Sequence, residues 1–506
     1  MSGHSPFRSV IKGAGFVFAG NFILGVIGFF YHIPVVRILG PEKYGLWQLV
    51  YTIVTTLGPF SLLGLGFGVM FYYSRAKATG EDAVEVLSAA LRISLISTAV
   101  TVILAQGINY YFIEKFYPYE GVRTLLFIFI FAIPFLVAEK MGESVFRAAG
   151  NARMPYQAKI FQDGSKLAVI PLVLWLTNGN LIAMASLTLL SFIAAAVYAG
   201  MLINKYIAPV KEIVSRSGKK YTGQLLGYSW PLLVIDYVQI LGKKIDIFFI
   251  GYFLSSGAVG IYTPAVILSN LLWIVPQAIT YLLFPVLNRL NSEGKTEEFI
   301  SVSKRVFKYM IYLNMPMLCF VAIFSKNILQ FLYGEQFRAG TPALIILAAA
   351  MALQIFYQIS YYILAINKKT KLVMAINIAG SILNVAGNYF MIPVYGITGA
   401  AATTLLSSMF MGILAMICAF RLQRKFIFPW RALGIVLLTA TVISAAWFFR
   451  AGTFLFNLRI FIAYFVLIII YGAVFEKEEV NKGIAVINGK MSRKKETGKN
   501  GTDNNR

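Results

Sequence analysis

Long apolar runs dominate the chain and constrain everything else about it. A bilayer hydrocarbon core of roughly 30 Å asks for about 20 apolar residues per helix. Stretches of that length lie near 14–36, 45–72, 84–111, 122–143, 156–177, 181–203, 224–253, 259–284, 306–325, 341–364, 372–393, 397–420, 432–449 and 456–475, fourteen spans in all. In lipid, a spanning backbone must satisfy its own hydrogen bonds, and runs this long do so as helices. Only 13% of the 506 residues are charged and 58% are hydrophobic, whereas a soluble chain carries roughly a quarter charged residues. The fold class expected is therefore an all-α polytopic membrane protein.

The net charge of +24 does not signal a nucleic-acid partner, because the basic residues sit in short blocks between apolar spans. Those blocks alternate. Arg8 and Lys12, Arg75 and Lys77, Arg147 and Arg153, the linker 204–223, Lys368 with Lys369 and Lys371, and the segment after Glu476 all fall on one side. The other side holds only Arg37, Lys43, Lys115, Arg123, Lys326, Arg338, Arg450 and Arg459, out of 45 Lys and Arg. By the positive-inside rule both termini are expected in the cytoplasm of a multi-pass protein of the cell membrane. Residues 476–506 read as a disordered tail, and 285–305 as a short interfacial helix. Cys319 and Cys418 lie inside apolar runs, so no disulfide framework is expected. Two histidines alone, His4 and His32, do not make a metal site.

The two sides of the linker resemble each other at a nearly fixed offset. Tyr44-Gly45-Leu46-Trp47 falls on Val259-Gly260-Ile261-Tyr262, Ala149-Gly150-Asn151 on Ala365-Ile366-Asn367, and Asp163-Gly164 on Ala379-Gly380. Each match is weak, and chance pairing of glycines competes with it. The constant offset favours duplication of a six-helix unit: an N-terminal lobe over 1–203 and a C-terminal lobe over 224–420. Residues 421–475 form an appended helix pair. With an even number of helices per copy, the copies share one orientation, and transporters built that way hold substrate between halves near the midplane.

Charge inside a span is expensive unless it faces protein or a water-filled cavity. Span seven is the outlier. At 100° per residue, Asp236, Gln239, Lys243 and Asp246 share one stripe, with Lys244 beside it. Two readings stay open: Lys243 pairs internally with Asp236 or Asp246, or the stripe lines a cavity that meets a polar or anionic substrate. Span five carries Asp163 and Lys166 one turn apart, a pair that can also simply neutralise itself. Asn377, Ser381, Asn384 and Asn388 recur along span eleven, and Gln354, Tyr357, Gln358 and Tyr361 along span ten. Uncharged stripes commonly join helices, but amides and aromatics also suit sugars. Glu139, Glu143 and Arg147 end span four near the surface, where long side chains snorkel.

Known chemical motifs are missing. Glu293-Gly294-Lys295-Thr296 resembles the end of a phosphate-binding loop, yet Arg289 stands where that loop needs glycine. No HExxH and no GxSxG occurs. Neither an enzyme nor a cofactor is expected, and transport must draw on ions, membrane potential or substrate gradients.

Arg37-Ile38-Leu39-Gly40-Pro41-Glu42-Lys43-Tyr44-Gly45-Leu46-Trp47 resembles the loop after the first helix of Wzx-type polysaccharide flippases, members of the multidrug/oligosaccharidyl-lipid/polysaccharide exporter superfamily. Asp246 to Gly251 with Val259-Gly260-Ile261-Tyr262 is similar to that family's seventh-helix pattern, and Ile392-Pro393-Val394-Tyr395-Gly396 to its eleventh-to-twelfth junction. The resemblance implies a fourteen-helix, two-lobed alternating-access fold. It also implies movement of a polyprenyl-phosphate- or diphosphate-linked oligosaccharide from the inner to the outer leaflet, with a glycan polymerase or ligase as possible partner. A lipid II flippase is the alternative, a cation-coupled multidrug exporter a more distant one, and a scaffold without transport the third. The candidate lumen residues are Asp236, Gln239, Lys243, Lys244, Asp246, Asp163, Lys166, Gln354, Gln358, Asn377 and Asn384. The charge bias makes a direct prediction: reporter fusions after Lys219 and Lys369 report cytoplasm, and fusions near Ser256 and Glu335 report the exterior. One reversed site removes the fourteen-span topology.

Overall fold

The computed structural model describes residues 6–151, 153–424, 430–448 and 454–475. The tail predicted over 476–506 lies outside them. Every regular element among the described residues is helical. In chain order they are α1 (Pro6–Ser61), α2 (Leu65–Thr79), α3 (Ala83–Tyr111), α4 (Ile113–Phe116), α5 (Val122–Ile130), α6 (Ile133–Ala148), α7 (Arg153–Leu176), α8 (Leu181–Tyr206) and α9 (Val210–Ser215). There follow α10 (Lys219–Phe253), α11 (Ser256–Ser292), α12 (Thr296–Tyr333), a 3₁₀ turn (Glu335–Gly340), α13 (Thr341–Ile366), α14 (Thr370–Gln423), α15 (Trp430–Phe448) and α16 (Phe454–Phe475).

By length and hydropathy, eight of the described helices can cross a membrane, or nine when α5 and α6, bent by 42°, count as one span. That is fewer than the fourteen runs. Part of the reason is merging: α1 holds two predicted spans divided at Gly40 (φ 69°), and α14 holds two divided at Gly396 (φ 59°). Both breaks use glycine because an L side chain rarely tolerates positive φ. A second part is length, since the apolar stretch counted in α15, Ala432–Ala446, is too short, and a third is polarity. Asp163 and Lys166 in α7, and Asp236, Lys243, Lys244 and Asp246 in α10, dilute helices that are otherwise long enough. The separate interfacial helix expected over 285–305 is not formed. α11 runs through Pro285 to Ser292 and α12 starts at Thr296, joined by a tight turn with Gly294 at φ 69° and Lys295 N donating to Leu290 O at 3.0 Å. At 1.5 Å per residue each of these helices is roughly 55 Å long, so their ends project well beyond the hydrocarbon.

The described helices form two compact units, Met1–Ser303 with Ser325–Phe426, and Lys304–Phe324 with the described part of Ile427–Arg506. In the second, Phe320 and Phe324 of α12 stack edge-on or tilted against Phe461 and Phe454 of α16, and Thr439 of α15 shares a 2.6 Å hydrogen bond with Tyr464.

Within the first unit the tightest feature is a crossing of two helix beginnings. A Cβ on Gly45 would stand 1.7 Å from Ser256 O, and a Cβ on Gly260 would stand 1.9 Å from Pro41 O. Backbone lies directly against backbone, which only a missing side chain allows. The contact is reciprocal, and Pro41 maps on Ser256 as Gly45 maps on Gly260, each pair 215 residues apart. It therefore carries the same offset as the sequence repeat, and has the form of an isologous, two-fold contact.

A second fastening lies at the start of α10. Lys220 pairs with Glu81 at 2.6 Å, Tyr221 OH donates to Glu81 at 2.7 Å, and Arg216 reaches Asp82 at 3.3 Å. Ser88 Oγ and Arg92 donate to Arg216 O. The linker and the first turn of α10 are thus bolted to the start of α3. The hydrogen bonds from Lys220 and Tyr221 hold the Glu81 carboxyl down at about 2. Because that value lies below the ordinary one, the clasp is intact above the normal carboxylate range and is lost only as pH falls through about 2.

The glycine crossing makes the prediction here. Gly45→Ala and Gly260→Ala each lower the unfolding midpoint of purified protein, by about 1–3 kcal/mol of overpacking. The double variant loses less than the sum, because one separation of the helices relieves both clashes. Unchanged midpoints, or strict additivity, contradict the reciprocal contact.

Candidate functional site

The residues singled out on span seven meet different surroundings. Asp236 is exposed in a cavity of about 360 Å³ that opens where α1 ends and α2 begins. There the chain turns through Leu63 (φ 52°) and Gly64 (φ 70°). Lys140, Glu143 and Arg147 of α6 and Tyr237 of α10 complete the charged wall. Glu143 pairs with both cations, at 3.1 Å from Lys140 and 2.5 Å from Arg147. Lys140 was not singled out by sequence, and Arg147 only as a snorkelling residue. A break in the helix pattern at Leu62-Leu63-Gly64 was the available signal for the cavity.

Lys243 is exposed, and no carboxylate among the described residues lies within ion-pair distance of it. The internal pairing with Asp236 or Asp246 is therefore not made. Lys244 is partly buried and donates a 2.7 Å hydrogen bond to Thr55 Oγ1 on the second arm of α1. It too has no carboxylate partner among the described residues. Lys244 stands nine residues from the end of α10, about 14 Å at 1.5 Å per residue. The side chain of Gln239 lies outside the described residues.

Asp246 turns away from both lysines into a buried cluster. Its carboxylate accepts from Tyr262 OH at 2.7 Å, Asn388 Nδ2 at 2.7 Å and Thr404 Oγ1 at 2.8 Å. Asn388 also donates to Asn384 Oδ1 at 3.1 Å, and Asn384 to Ser407 Oγ at 3.3 Å. Asn388 Oδ1 is buried without a donor. The asparagine stripe of span eleven thus serves as the wall of an acidic cluster. All its donors to a ligand are hard oxygens, the set that suits a proton or a small monovalent cation rather than a transition metal. Among the described residues no group of three or more His, Cys, Asp and Glu could hold a metal ion. Thr404 and Ser407 carried no sequence signal, since a hydroxyl in an apolar run is commonplace.

A smaller chamber of about 200 Å³ lies among the two arms of α1, α7 and α8. Tyr31, His32, Trp47, Gln48, Tyr51 and Thr188 line it, together with Asp163 and Lys166, which pair at 3.2 Å. Lys166 also lies 4.5 Å over the Phe192 ring. His32 Nδ1 and Tyr44 OH share a 2.9 Å hydrogen bond. Gln354 and Gln358 are half-buried on α13, away from these cavities, and Asn377 Nδ2 donates to Tyr357 OH at 2.6 Å.

A multi-pass chain whose described elements are all helical, with broken helices and charge held inside apolar ones, defines a membrane transporter. Comparison with solved structures gives the fold. The chain superposes on "Lipid II flippase MurJ, inward closed conformation" with a TM-score of 0.72 at 16% identity, covering 92% of this chain and 99% of that one. It superposes on the inward-facing conformation of a multidrug resistance MATE family transporter of the MOP superfamily with a TM-score of 0.67 at 15% identity, covering 79% and 94%. The chain belongs to the family described as polysaccharide biosynthesis protein, whose profile matches residues 35–342. A relative from Haloferax volcanii, "Probable low-salt glycan biosynthesis flippase Agl15", is 24% identical over 79% of either chain.

Removing the hub of the acidic cluster tests its role in holding the fold. Asp246→Ala strands three donors in apolar surroundings and lowers the stability of the purified protein by about 3 kcal/mol or more. Asp246→Asn keeps the shape and part of the hydrogen bonding, and loses less. A normal unfolding midpoint for Asp246→Ala refutes the assignment.

Proposed function

We propose that this chain is a flippase, not an enzyme, that carries a polyprenyl-phosphate- or diphosphate-linked oligosaccharide from the inner to the outer leaflet. Membership of the polysaccharide biosynthesis family and the relationship to a probable glycan flippase support the substrate class. The observation that carries the reading is Lys244, an ammonium well inside α10 that among the described residues is hydrogen-bonded only to a threonine. A phosphate head cannot enter hydrocarbon without losing its hydration, so a fixed cation must replace water around it. Lys244 supplies that charge, exposed Lys243 adds to it, and Lys140 with Arg147 offers an earlier stop in the cavity beside the α1–α2 break. The prenyl tail stays in lipid while the glycan passes through the hydrated interior.

In this reading the chain crosses the membrane fourteen times with both termini in the cytoplasm. Its two six-helix lobes rock about the midplane, and α15 with α16 is the appended pair. Membrane lipids surround it, and a glycan polymerase or ligase takes up the product. The likeness to MurJ concerns fold and does not move the substrate toward lipid II.

The test uses proteoliposomes containing a fluorescent polyprenyl-diphosphate glycan. Lys244→Gln lowers the flipping rate about tenfold, the loss of one charge-assisted contact, at normal abundance. Lys244→Arg retains part of the rate, since it keeps charge but changes shape. Full activity of a normally abundant Lys244→Gln protein removes this residue from the path.

A further inference from the structure

We infer that the chamber among the two arms of α1, α7 and α8 is a monosaccharide subsite, holding the sugar ring attached to the lipid phosphate. The inference rests on the flippase reading and names what one further cavity does in it. Charge is the first argument. Asp163 and Lys166 pair with each other at 3.2 Å, which leaves the chamber wall neutral and gives a phosphate no reason to settle there. Its chemistry is the second. Tyr31 and Tyr51 line the chamber, and neither hydroxyl has a hydrogen-bond partner among the described residues. The Tyr51 ring is stacked on Phe129 at 5.9 Å, which fixes its plane. A pyranose offers C–H bonds to the negative face of such a ring and hydroxyls to an amide like that of Gln48, which also lines the chamber. Aromatic planes with hydroxyl and amide groups recognise a neutral sugar.

Size is the third argument. A cavity of about 200 Å³ exceeds the roughly 150 Å³ that admits a benzene-sized molecule, so one ring fits and a chain of rings does not. Position is the fourth. Lys244 Nζ donates to Thr55 Oγ1 at 2.7 Å, and Thr55 Oγ1 donates in turn to Tyr51 O at 2.7 Å. Thr55 and Tyr51 are successive positions on one face of one helix, about 6 Å apart along its axis. That is the reach from a phosphate to the first ring it carries. The ammonium and the chamber are therefore placed to read two adjoining parts of one substrate.

The experiment measures the unfolding midpoint of the purified full-length protein against methyl glycosides of glucose, galactose, mannose, N-acetylglucosamine and glucuronate. Mannitol, which has no ring, is the control. At least one glycoside raises the midpoint saturably, as a ligand of the folded state must, and mannitol does not. Gln48→Ala weakens that glycoside about fivefold, the loss of one neutral hydrogen bond. Tyr51→Phe, which keeps the stack on Phe129, weakens it as well. No saturable shift above mannitol overturns the subsite, and so does a shift that survives both chamber variants. A transport arm separates the two claims. If wild-type protein moves prenyl diphosphate and its monosaccharide conjugate at equal rates, the subsite is overturned while the flippase stands. If it moves neither while the Gln48-dependent shift persists, the flippase reading fails and the sugar site stands.

Discussion

The contact of Gly45 with Ser256, and of Gly260 with Pro41, sets the distance between the halves of the chain. A Cβ at either glycine would fall within 2 Å of a carbonyl oxygen, so this side of the molecule has no slack. Hydrophobic attraction does little to draw helices together inside lipid, because lipid tails are as apolar as leucine. Close backbone approach must supply the affinity instead.

Much of the fold was legible because hydrophobic length is a strong and additive signal. The class, the break at Gly40-Pro41, the break near Gly396 and the offset between Gly45 and Gly260 all came from local pattern. The number of membrane crossings was harder to read, because α7 and α10 hold enough charge to fail on hydropathy while lying among apolar neighbours. The polar residues inside the helices were legible, but not their arrangement. Helical periodicity puts Asp236, Lys243 and Asp246 on one stripe, yet it cannot say what each meets. Asp246 meets Tyr262, Asn388 and Thr404 from three other segments, 16, 142 and 158 residues away. Lys244, which the stripe left aside, meets Thr55 across 189 residues. Those distances along the chain are invisible to any periodicity.

The polar groups of the interior divide by chemistry. The acidic cluster around Asp246 is enclosed, and its donors are already committed. Lys244 is a cation without an anion among the described residues, and Asp163 with Lys166 makes a neutral pair. Desolvation explains the division. A buried carboxylate persists when several donors face it, whereas an ammonium left unpaired at such depth is costly unless a ligand completes it.

The fastening at the start of α10 has a mechanical side. Glu81, Lys220 and Tyr221 hold one end of the helix, and Asp246 is held 26 residues beyond Lys220, about 39 Å along a straight axis. A tilt of one degree about the clasp carries the Asp246 end by about 0.7 Å, which is already enough to spoil hydrogen bonds that tolerate only a few tenths of an ångström. The helix is therefore a long lever pinned at both ends, and it cannot swing as a rod without tearing one of its anchors. Any change in the separation of those anchors must be absorbed as curvature. Pro231 lies inside α10 and removes the hydrogen bond that the Gly227 carbonyl would otherwise accept. That is where this lever is softest.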